Sequence, residues 1–200
     1  MSSTGRSDVR KELDYYGTPG WAARAIFPFV PLNGRILEPS AGEGAIVETL
    51  IAHGVDRERI TAIEIDPGRA ERCQGRTGVV THCADFLTWA DPTPYDLVIG
   101  NPPFVEAQAF VEASLKLTEP VGGTVAMLLR GGFLESKGRV RFHRAHPSDL
   151  YVFAKRPIFI VGTQGDSAVY GWFKWAPGCG GRWEVLDCTD GQMDMFGDDT

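Results

Sequence analysis

The chain has 200 residues, of which 43% are hydrophobic and 23% are charged, and its formal net charge is −6. This composition favours one domain with a full hydrophobic core and excludes a largely disordered chain. No apolar stretch is long enough to cross a membrane, and the first residues lack the apolar run of a secretory signal. The four cysteines are too irregularly spaced for a disulfide framework or a metal knuckle, so we expect a cytoplasmic protein without a metal.

Short apolar runs typical of strands alternate with helical patterns through the first 130 residues. The predicted strands are 35–37, 60–64, 79–81, 96–99 and 124–129, and the predicted helices between them are 45–53, 68–74 and 106–117. This alternation predicts βαβ units. The expected fold is therefore an α/β fold with a doubly wound, mostly parallel, seven-stranded sheet that is covered by helices on both faces.

The pattern changes beyond residue 130. A charged helix is predicted over 137–145 and a strand over 150–153. The aromatic run 168–175 has no helix before it, so we expect it to form an antiparallel last strand at the end of the sheet. The expected organisation is an N-terminal arm over 1–14, one domain over 15–176 and an acidic tail over 177–200.

Charge is distributed unevenly along the chain. Residues 184–200 contain six acids and no Lys or Arg, whereas residues 130–156 contain seven bases and two acids. The basic stretch is a candidate surface for phosphate groups, and an ordinary solvated helix face is the alternative. Five of its members are candidate nucleic-acid contacts: Arg130, Lys137, Arg139, Arg141 and Arg144.

The first predicted strand is followed by the loop Glu38-Pro39-Ser40-Ala41-Gly42-Glu43-Gly44. In open α/β sheets, ligands bind where such loops follow the carboxyl ends of the strands. Gly42 and Gly44 permit a tight turn and close approach of the backbone to a ligand. The third glycine of a dinucleotide fingerprint is replaced by Val47, and the two carboxylates of the loop would repel a pyrophosphate. A ligand with a positive centre is favoured, with an ordinary strand-to-helix turn as the alternative.

Two later loops carry candidate partners for a nucleoside. Glu64 ends the second strand, where a carboxylate can accept hydrogen bonds from both hydroxyls of a ribose, and Ile65 follows it. Asp85 and Phe86 follow the third strand and offer an acid and an aromatic ring for an adenine. Together with the anionic loop, these features favour S-adenosylmethionine, whose sulfonium and ammonium groups are cationic.

The segment Asn101-Pro102-Pro103-Phe104 directly follows the fourth strand and Gly100. Its two prolines remove two amide donors and hold the backbone extended, which leaves the Asn101 side-chain oxygen and the Pro102 carbonyl as acceptors. Two acceptors suit a planar –NH₂ group. When both of its N–H groups donate hydrogen bonds to these acceptors, the nitrogen is drawn toward the tetrahedral geometry of a methyl-transfer transition state. No base is required before transfer, since the nitrogen gains positive charge only as the sulfonium loses it.

The glycine loop followed by Asn101–Phe104 resembles the class I S-adenosylmethionine-dependent methyltransferases that modify amino groups, and in particular the DNA adenine-N6 methyltransferases. The upstream run Tyr15-Tyr16-Gly17-Thr18-Pro19 is similar to the motif of that family that contacts the methionine end of the cofactor, in the order of its gamma group. Segments 130–139, 155–157, 166–167 and 170–175 look like the small methyltransferases of bacteriophages and prophages. The resemblance covers residues 15–175 and implies a Rossmann-like fold.

The resemblance also implies roles for the matching residues. The target amine would be held, and a flipped base stacked, by Asn101, Pro102, Pro103 and Phe104. S-adenosyl-L-methionine would be bound by Tyr16, Thr18, Pro19, Glu38, Pro39, Ser40, Ala41, Gly42, Gly44, Glu64, Ile65, Asp85, Phe86 and Asn101. The implied partner is DNA with a flipped adenine.

Several alternatives stay open at this point. Larger members of the family add a target-recognition domain, whereas 25 residues follow Trp175 here, so we expect loops to read the sequence and the recognition site to be short or loose. An amine of ribosomal RNA or of a protein glutamine is also planar and suits the same motif. A non-catalytic cofactor-binding module is less favoured because both motifs are intact. Cytosine-C5 chemistry is disfavoured because none of the cysteines follows a proline.

Overall fold

The computed structural model describes residues 17–91, 93–155, 157 and 168–187. The predicted N-terminal arm, Tyr15 and Tyr16 of the upstream motif, Arg156, and the part of the predicted acidic tail beyond residue 187 lie outside the described residues. Within the described ranges, no helix combines the length and the apolar character that crossing a bilayer requires.

The described residues form five α-helices and eight strands. The helices are α1 (Gly20–Arg24), α2 (Ala45–Ala52), α3 (Pro67–Thr77), α4 (Ala107–Thr118) and α5 (Val140–Ala145). The strands are β1 (Ile36–Glu38), β2 (Ile60–Glu64), β3 (Thr81–Cys83), β4 (Leu97–Gly100), β5 (Thr124–Arg130), β6 (Asp149–Phe153), β7 (Tyr170–Trp175) and β8 (Trp183–Leu186). Short 3₁₀ turns lie at Phe27–Phe29, Arg57–Arg59, Glu119–Val121, Gly131–Phe133 and Lys137–Arg139.

All eight strands belong to one sheet, in the order β3-β2-β1-β4-β5-β7-β6-β8. Neighbouring strands are parallel except at the β5–β7 and β6–β7 pairs, so β7 alone runs against the other described strands. The predicted α/β fold with a mostly parallel sheet and an antiparallel strand is confirmed. The strand order reverses between β1 and β4, which places a ligand crevice beyond the carboxyl ends of these two strands.

Two details of the sheet differ from the prediction. The antiparallel strand β7 lies between β5 and β6 rather than at the end of the sheet, because Trp172 and Phe173 are both fully buried and require cover on both faces. The described sheet also has eight strands instead of seven. The additional strand β8 falls within the range expected to be an acidic tail and pairs in parallel with β6. Three of its four residues are exposed, including the apolar Trp183 and Val185.

Apolar clusters cover the two faces of the sheet. One contains Ala22 of α1 and Trp172 of β7, and the other contains Phe110 of α4 and Phe173 of β7. Helix α1 is tied to the sheet by the Trp172 indole, whose Nε1 donates a hydrogen bond to the Ala22 carbonyl over 2.7 Å. This bond fixes the position of α1, and of the chain that enters it, relative to the sheet.

Candidate active site at the carboxyl edge of the sheet

The glycine loop connects β1 to α2 at the point where the strand order reverses. Gly42 and Gly44 have φ angles of 56° and 93°, in the left-handed region that favours glycine. A Cβ atom on Gly44 would lie 2.8 Å from Cγ2 of Thr77 and 3.0 Å from Sγ of Cys73, both in α3. Gly44 is therefore required by the close approach of α2 and α3, as well as by the turn itself.

Glu64 joins this loop to the neighbouring strand. Its side chain is buried, its Oε2 accepts a hydrogen bond from the Gly42 N–H over 2.8 Å, and its Oε1 accepts one from the Asp66 N–H over 2.9 Å. The Asp66 carboxylate in turn accepts from the Arg69 N–H, so Asp66 is the N-cap of α3. Because a carboxylate has about four lone-pair positions, these two bonds leave capacity for the hydroxyls of a ribose.

Glu38 is the buried acid of the loop. It is 2% exposed, and its Oε2 has no hydrogen-bond partner in the described part of the chain. Burial raises the pKa of Glu38 well above its ordinary value, and the nearby negative charge of Glu64 raises it further. The hydroxyl of Ser40 is likewise buried without a described partner. A ligand that donates hydrogen bonds would satisfy Oε2 of Glu38, and the Ser40 hydroxyl can either donate to a ligand or accept from it.

Glu43 contributes less to the crevice than its place in the loop indicates. Arg72 of α3 donates to its Oε1 over 2.8 Å, and Arg76 lies 3.7 Å from its Oε2, both near the protein surface. Glu43 is thus paired with Arg72 at the surface, and Arg76, which lies near it, also pairs with Glu48. The buried acids beside the loop are Glu38 and Glu64.

The predicted adenine contacts separate into exposed and buried residues. Ile65 is 62% exposed, and Asp85 is exposed while its Oδ1 accepts a hydrogen bond from the Leu87 N–H over 2.9 Å. Phe86 is instead buried, with its ring centroid 5.1 Å from that of Phe110. The structure places Phe86 in the core between the sheet and α4, and leaves Ile65 and Asp85 at the surface.

The Asn101–Phe104 segment meets the glycine loop across the adjacent strands β1 and β4. A Cβ atom on Gly100, the residue before Asn101, would lie only 3.1 Å from Cδ of Pro39, so the glycine loop packs closely against the end of β4, directly before the Asn101–Phe104 segment. Pro102 is buried, whereas Asn101 and Phe104 are partly exposed. The structure therefore brings the two predicted motifs together in one crevice.

The upstream motif reaches the same crevice through Thr18. The side-chain nitrogen of Asn101 donates a hydrogen bond to the Thr18 hydroxyl oxygen over 3.1 Å, and Thr18 is 6% exposed. Pro19 follows and caps α1, where its carbonyl accepts hydrogen bonds from the next turn. Tyr16 of the same motif lies outside the described residues.

A groove of about 490 Å³ opens beside Phe104. The Arg130 guanidinium lies 6.0 Å from the Phe104 ring and 5.9 Å from the Tyr170 ring. Arg139 lies 4.8 Å from the Phe133 ring and donates to the Phe133 carbonyl over 3.1 Å. Of the five predicted nucleic-acid contacts, these two arginines line the groove. The other three are exposed beyond it: Lys137, Arg141 and Arg144.

Some residues of this groove were not among the predicted site residues. Phe133 belongs to the 3₁₀ turn Gly131–Phe133, and Val169 precedes β7. The Gly131 N–H donates to the Val169 carbonyl over 2.7 Å, which joins the two walls. The sequence indicated these residues only through the end of the alternation of strands and helices after Arg130. There the chain forms one side of the groove instead of another βα unit.

Comparisons with known proteins agree with this geometry. No protein-family model matches the chain. The chain is 39% identical over 75 residues to the type II methyltransferase M.TthHB8I of Thermus thermophilus, which is 37% of this chain and 17% of the relative. It is 30% identical over 84 residues to the tRNA1(Val) (adenine(37)-N6)-methyltransferase of Glaesserella parasuis, which is 38% of this chain and 35% of the relative. The matches thus span only a minor part of these relatives.

The solved structures extend the similarity over nearly the whole chain. A protein described as a class I S-adenosylmethionine-dependent methyltransferase, from Listeria monocytogenes, matches with a TM-score of 0.64 over 94% of this chain and 76% of that one, at 15% identity. The chain has the class I methyltransferase fold. The predicted Rossmann-like fold is confirmed, and the predicted cofactor, S-adenosylmethionine, agrees with these relatives and this neighbour.

Proposed function

We propose that the chain transfers a methyl group from S-adenosylmethionine to the exocyclic N6 amine of adenine in DNA. The observation that carries the proposal is that the glycine loop and the Asn101–Phe104 segment follow adjacent strands at the point where the strand order reverses, with Pro39 packed closely against Gly100. One motif is suited to a cationic cofactor and the other to a planar amine. The matched relatives, a type II methyltransferase and an adenine-N6 methyltransferase, support this pairing.

The residues of the crevice fit the cofactor. The Oε2 of Glu38, which has no hydrogen-bond partner among the described residues, would receive the ammonium group, and the remaining lone pairs of Glu64 would receive the ribose hydroxyls. Ile65 and Asp85, which are both exposed, would contact the adenine ring and its amino group. When bound, the cofactor supplies an electrophilic methyl group on a positively charged sulfur.

The chain's own part in catalysis is to hold the acceptor nitrogen. The two N–H groups of the amine donate hydrogen bonds to Oδ1 of Asn101 and to the Pro102 carbonyl. These hydrogen bonds favour a pyramidal nitrogen over the planar ground state. The ring of Phe104 stacks on the base. As the new N–C bond forms and the S–C bond breaks, positive charge moves from sulfur to nitrogen. One proton then leaves the nitrogen to water.

The groove beside Phe104 supports a nucleic acid in preference to a protein glutamine. Arg130 and Arg139 lie along its walls, and exposed bases continue from it onto α5. Such bases bind phosphates and position the backbone without reading its sequence. A volume of about 490 Å³ lies in the range of sites that accommodate a small organic ligand. In duplex DNA, the target adenine must leave the base stack to enter it.

The test is a methyl-transfer assay with label in the methyl group of the cofactor. The protein is incubated with plasmid DNA, and the nucleosides are then separated. Label in N6-methyladenine is expected, and it should be lost with the Asn101→Ala variant. Label that appears in cytosine, or in protein alone, would reject the proposed acceptor.

Adenine N6 in transfer RNA is the second candidate. It is favoured by the 30% identity with the tRNA1(Val) (adenine(37)-N6)-methyltransferase. Unmodified tRNA and duplex DNA of equal adenine content are offered together, and the label in each is counted. Label in DNA above that in tRNA supports the first proposal. More label in tRNA than in DNA would leave the chemistry proposed at Asn101 unchanged and would identify RNA as the substrate.

A further inference from the structure

We infer that Thr18 is a positioning residue for Asn101: its hydroxyl holds the side-chain amide so that Oδ1, and not Nδ2, faces the acceptor amine. This inference rests on the proposed function, because it assigns Thr18 a part in holding that amine. The two residues are 83 positions apart in sequence and are joined by the 3.1 Å hydrogen bond from Nδ2 to the threonine oxygen.

The two ends of an asparagine amide have opposite hydrogen-bonding character. The oxygen accepts hydrogen bonds, whereas the nitrogen carries two donor hydrogens. If Nδ2 of Asn101 faced the substrate, its hydrogens would oppose those of the amine, and the Pro102 carbonyl would be the remaining acceptor of this segment. The two orientations have nearly the same shape, so packing alone does not choose between them. A polar partner on one side of the amide makes the choice.

Thr18 is held firmly enough to serve as that partner. It is 6% exposed, so water does not compete well for its hydroxyl. The Pro19 carbonyl accepts from the N–H groups of Ala22 and Ala23 over 2.9 and 3.1 Å, which fixes the start of α1. The Trp172 indole then ties Ala22 to β7. These hydrogen bonds, together with the Thr18–Pro19 peptide bond, connect β7 to the amide of Asn101.

A threonine hydroxyl also has one proton, so it can donate as well as accept. In the structure it accepts from Nδ2 of Asn101, so Oδ1 lies on the opposite side of the amide from that bond. Replacement by valine keeps the volume and the β-branched shape but removes the hydroxyl. Replacement by serine keeps the hydroxyl and removes one methyl group. The two variants therefore separate the hydrogen bond from the packing of the side chain.

The kinetic test compares Thr18→Val, Thr18→Ser and Thr118→Val. Thr118 is a matched control, because it is also buried and its hydroxyl donates to the Ser114 carbonyl within α4, outside the candidate site. We expect Thr18→Val to lower kcat about tenfold, the effect of losing one hydrogen bond of ordinary strength, while the Kd for the cofactor changes less than about threefold. Thr18→Ser should regain most of kcat, and Thr118→Val should keep the wild-type value.

Two kinetic outcomes would overturn the inference. One is an unchanged kcat in Thr18→Val with a weakened cofactor, which would assign Thr18 to the cofactor alone. The other is an equal loss in Thr18→Val and Thr18→Ser, which would assign its effect to packing. If the wild-type protein methylates a planar amine other than adenine, the same comparison is made on that acceptor.

A second measurement does not depend on activity. The side-chain N–H₂ resonances of Asn101 are identified in a ¹⁵N-labelled sample by their loss in Asn101→Ala. Thr18→Val should shift them and speed their exchange with water, and Thr18→Ser should restore them. Unchanged resonances in Thr18→Val would overturn the inference. A protein that transfers no methyl group would instead refute the proposed function, while this spectrum still decides whether Thr18 orients the amide.

Discussion

The backbone N–H of Gly42 donates a hydrogen bond to Oε2 of Glu64 over 2.8 Å, and so joins the glycine loop to the end of the neighbouring parallel strand. The second oxygen of the same carboxylate accepts from the Asp66 N–H at the start of α3. One buried side chain thus positions the loop after β1 and the turn after β2. The residue predicted to bind ribose is also a structural residue of the crevice.

Glu64→Gln should destabilise the fold. Glutamine retains one acceptor oxygen, so one of the two backbone N–H groups would face the glutamine NH₂ and lose its partner. The expected loss is about 1–3 kcal/mol in the free energy of unfolding, measured by urea titration. Glu48→Gln is the control, because Glu48 pairs with Arg76 at the surface, and its loss should remain below about 1 kcal/mol. Equal losses in the two variants would contradict the structural role.

Glu38→Gln should change the pH dependence of stability. Burial raises the pKa of Glu38 in the folded protein, so the folded chain holds a proton that the unfolded chain releases near pH 4.3 (about the value of a free glutamate). The stability of the wild-type protein therefore falls as pH rises from this value through the raised folded pKa. The variant should lack this fall and be more stable than wild type at pH 8.

The same variant should bind the cofactor less well, because it removes the carboxylate proposed to receive the ammonium group. Denaturant unfolding at pH 6 and pH 8 measures the first effect, and calorimetric titration with S-adenosylmethionine measures the second. Parallel pH profiles for the two proteins would show that the side chain at position 38 is already solvated or paired.

Asn101→Ala should abolish turnover without preventing cofactor binding. The variant removes one of the two acceptors for the amine, and the loss of one such directed hydrogen bond lowers kcat by about 10²–10³-fold. The Kd for S-adenosylmethionine should stay within about threefold of wild type. A folded variant that no longer binds the cofactor would show that Asn101 belongs to the cofactor site instead.

Lys137→Gln and Lys116→Gln test the proposed DNA surface with matched charges. Both lysines are exposed, but Lys137 lies on the turn before α5 and Lys116 on α4, beside a separate cavity. For a phosphate contact, the slope of log affinity against log salt should decrease by about 0.9 in Lys137→Gln. Lys116→Gln should leave the slope unchanged. The surface is misassigned if the two variants behave alike.

Removal of residues 188–200 should strengthen DNA binding at low salt. This segment contains four acids and no Lys or Arg, so its removal lowers the repulsion between protein and phosphate backbone. The cut must follow Asp187, because a cut after Glu184 also removes Val185 and Leu186 of β8. The longer truncation should lower the unfolding temperature, and the shorter one should not. Unchanged DNA affinity at low salt would exclude an electrostatic effect of the segment.

The parts of the site that sequence predicted are those with local causes. Two prolines restrict the backbone after β4 whatever surrounds them, and the alternation of strands and helices places that segment at the carboxyl edge of the sheet. The glycine loop follows the same logic, since its turn needs the positive φ angles found at Gly42 and Gly44. The two motifs lie side by side because β1 and β4 are neighbours.

The parts that sequence could not predict depend on distant neighbours. Glu43 and Glu38 belong to one loop, yet Glu43 pairs with two arginines of α3 and Glu38 is buried near Glu64. Phe86 looked like a ligand contact from its place after a strand, but Phe110 covers it. In each case the outcome depends on which helix packs over the residue, and a local pattern does not contain that information.

By itself, the sequence determined the backbone chemistry of the crevice: where the chain must turn, where it lacks donors and where it offers acceptors. Only the tertiary structure decided which side chains complete it, as when Thr18 meets Asn101 from 83 residues away. The physical reason is the range of the forces involved. Dihedral restriction acts within a few bonds, whereas burial and hydrogen bonding join whatever segments the packing of the sheet brings together.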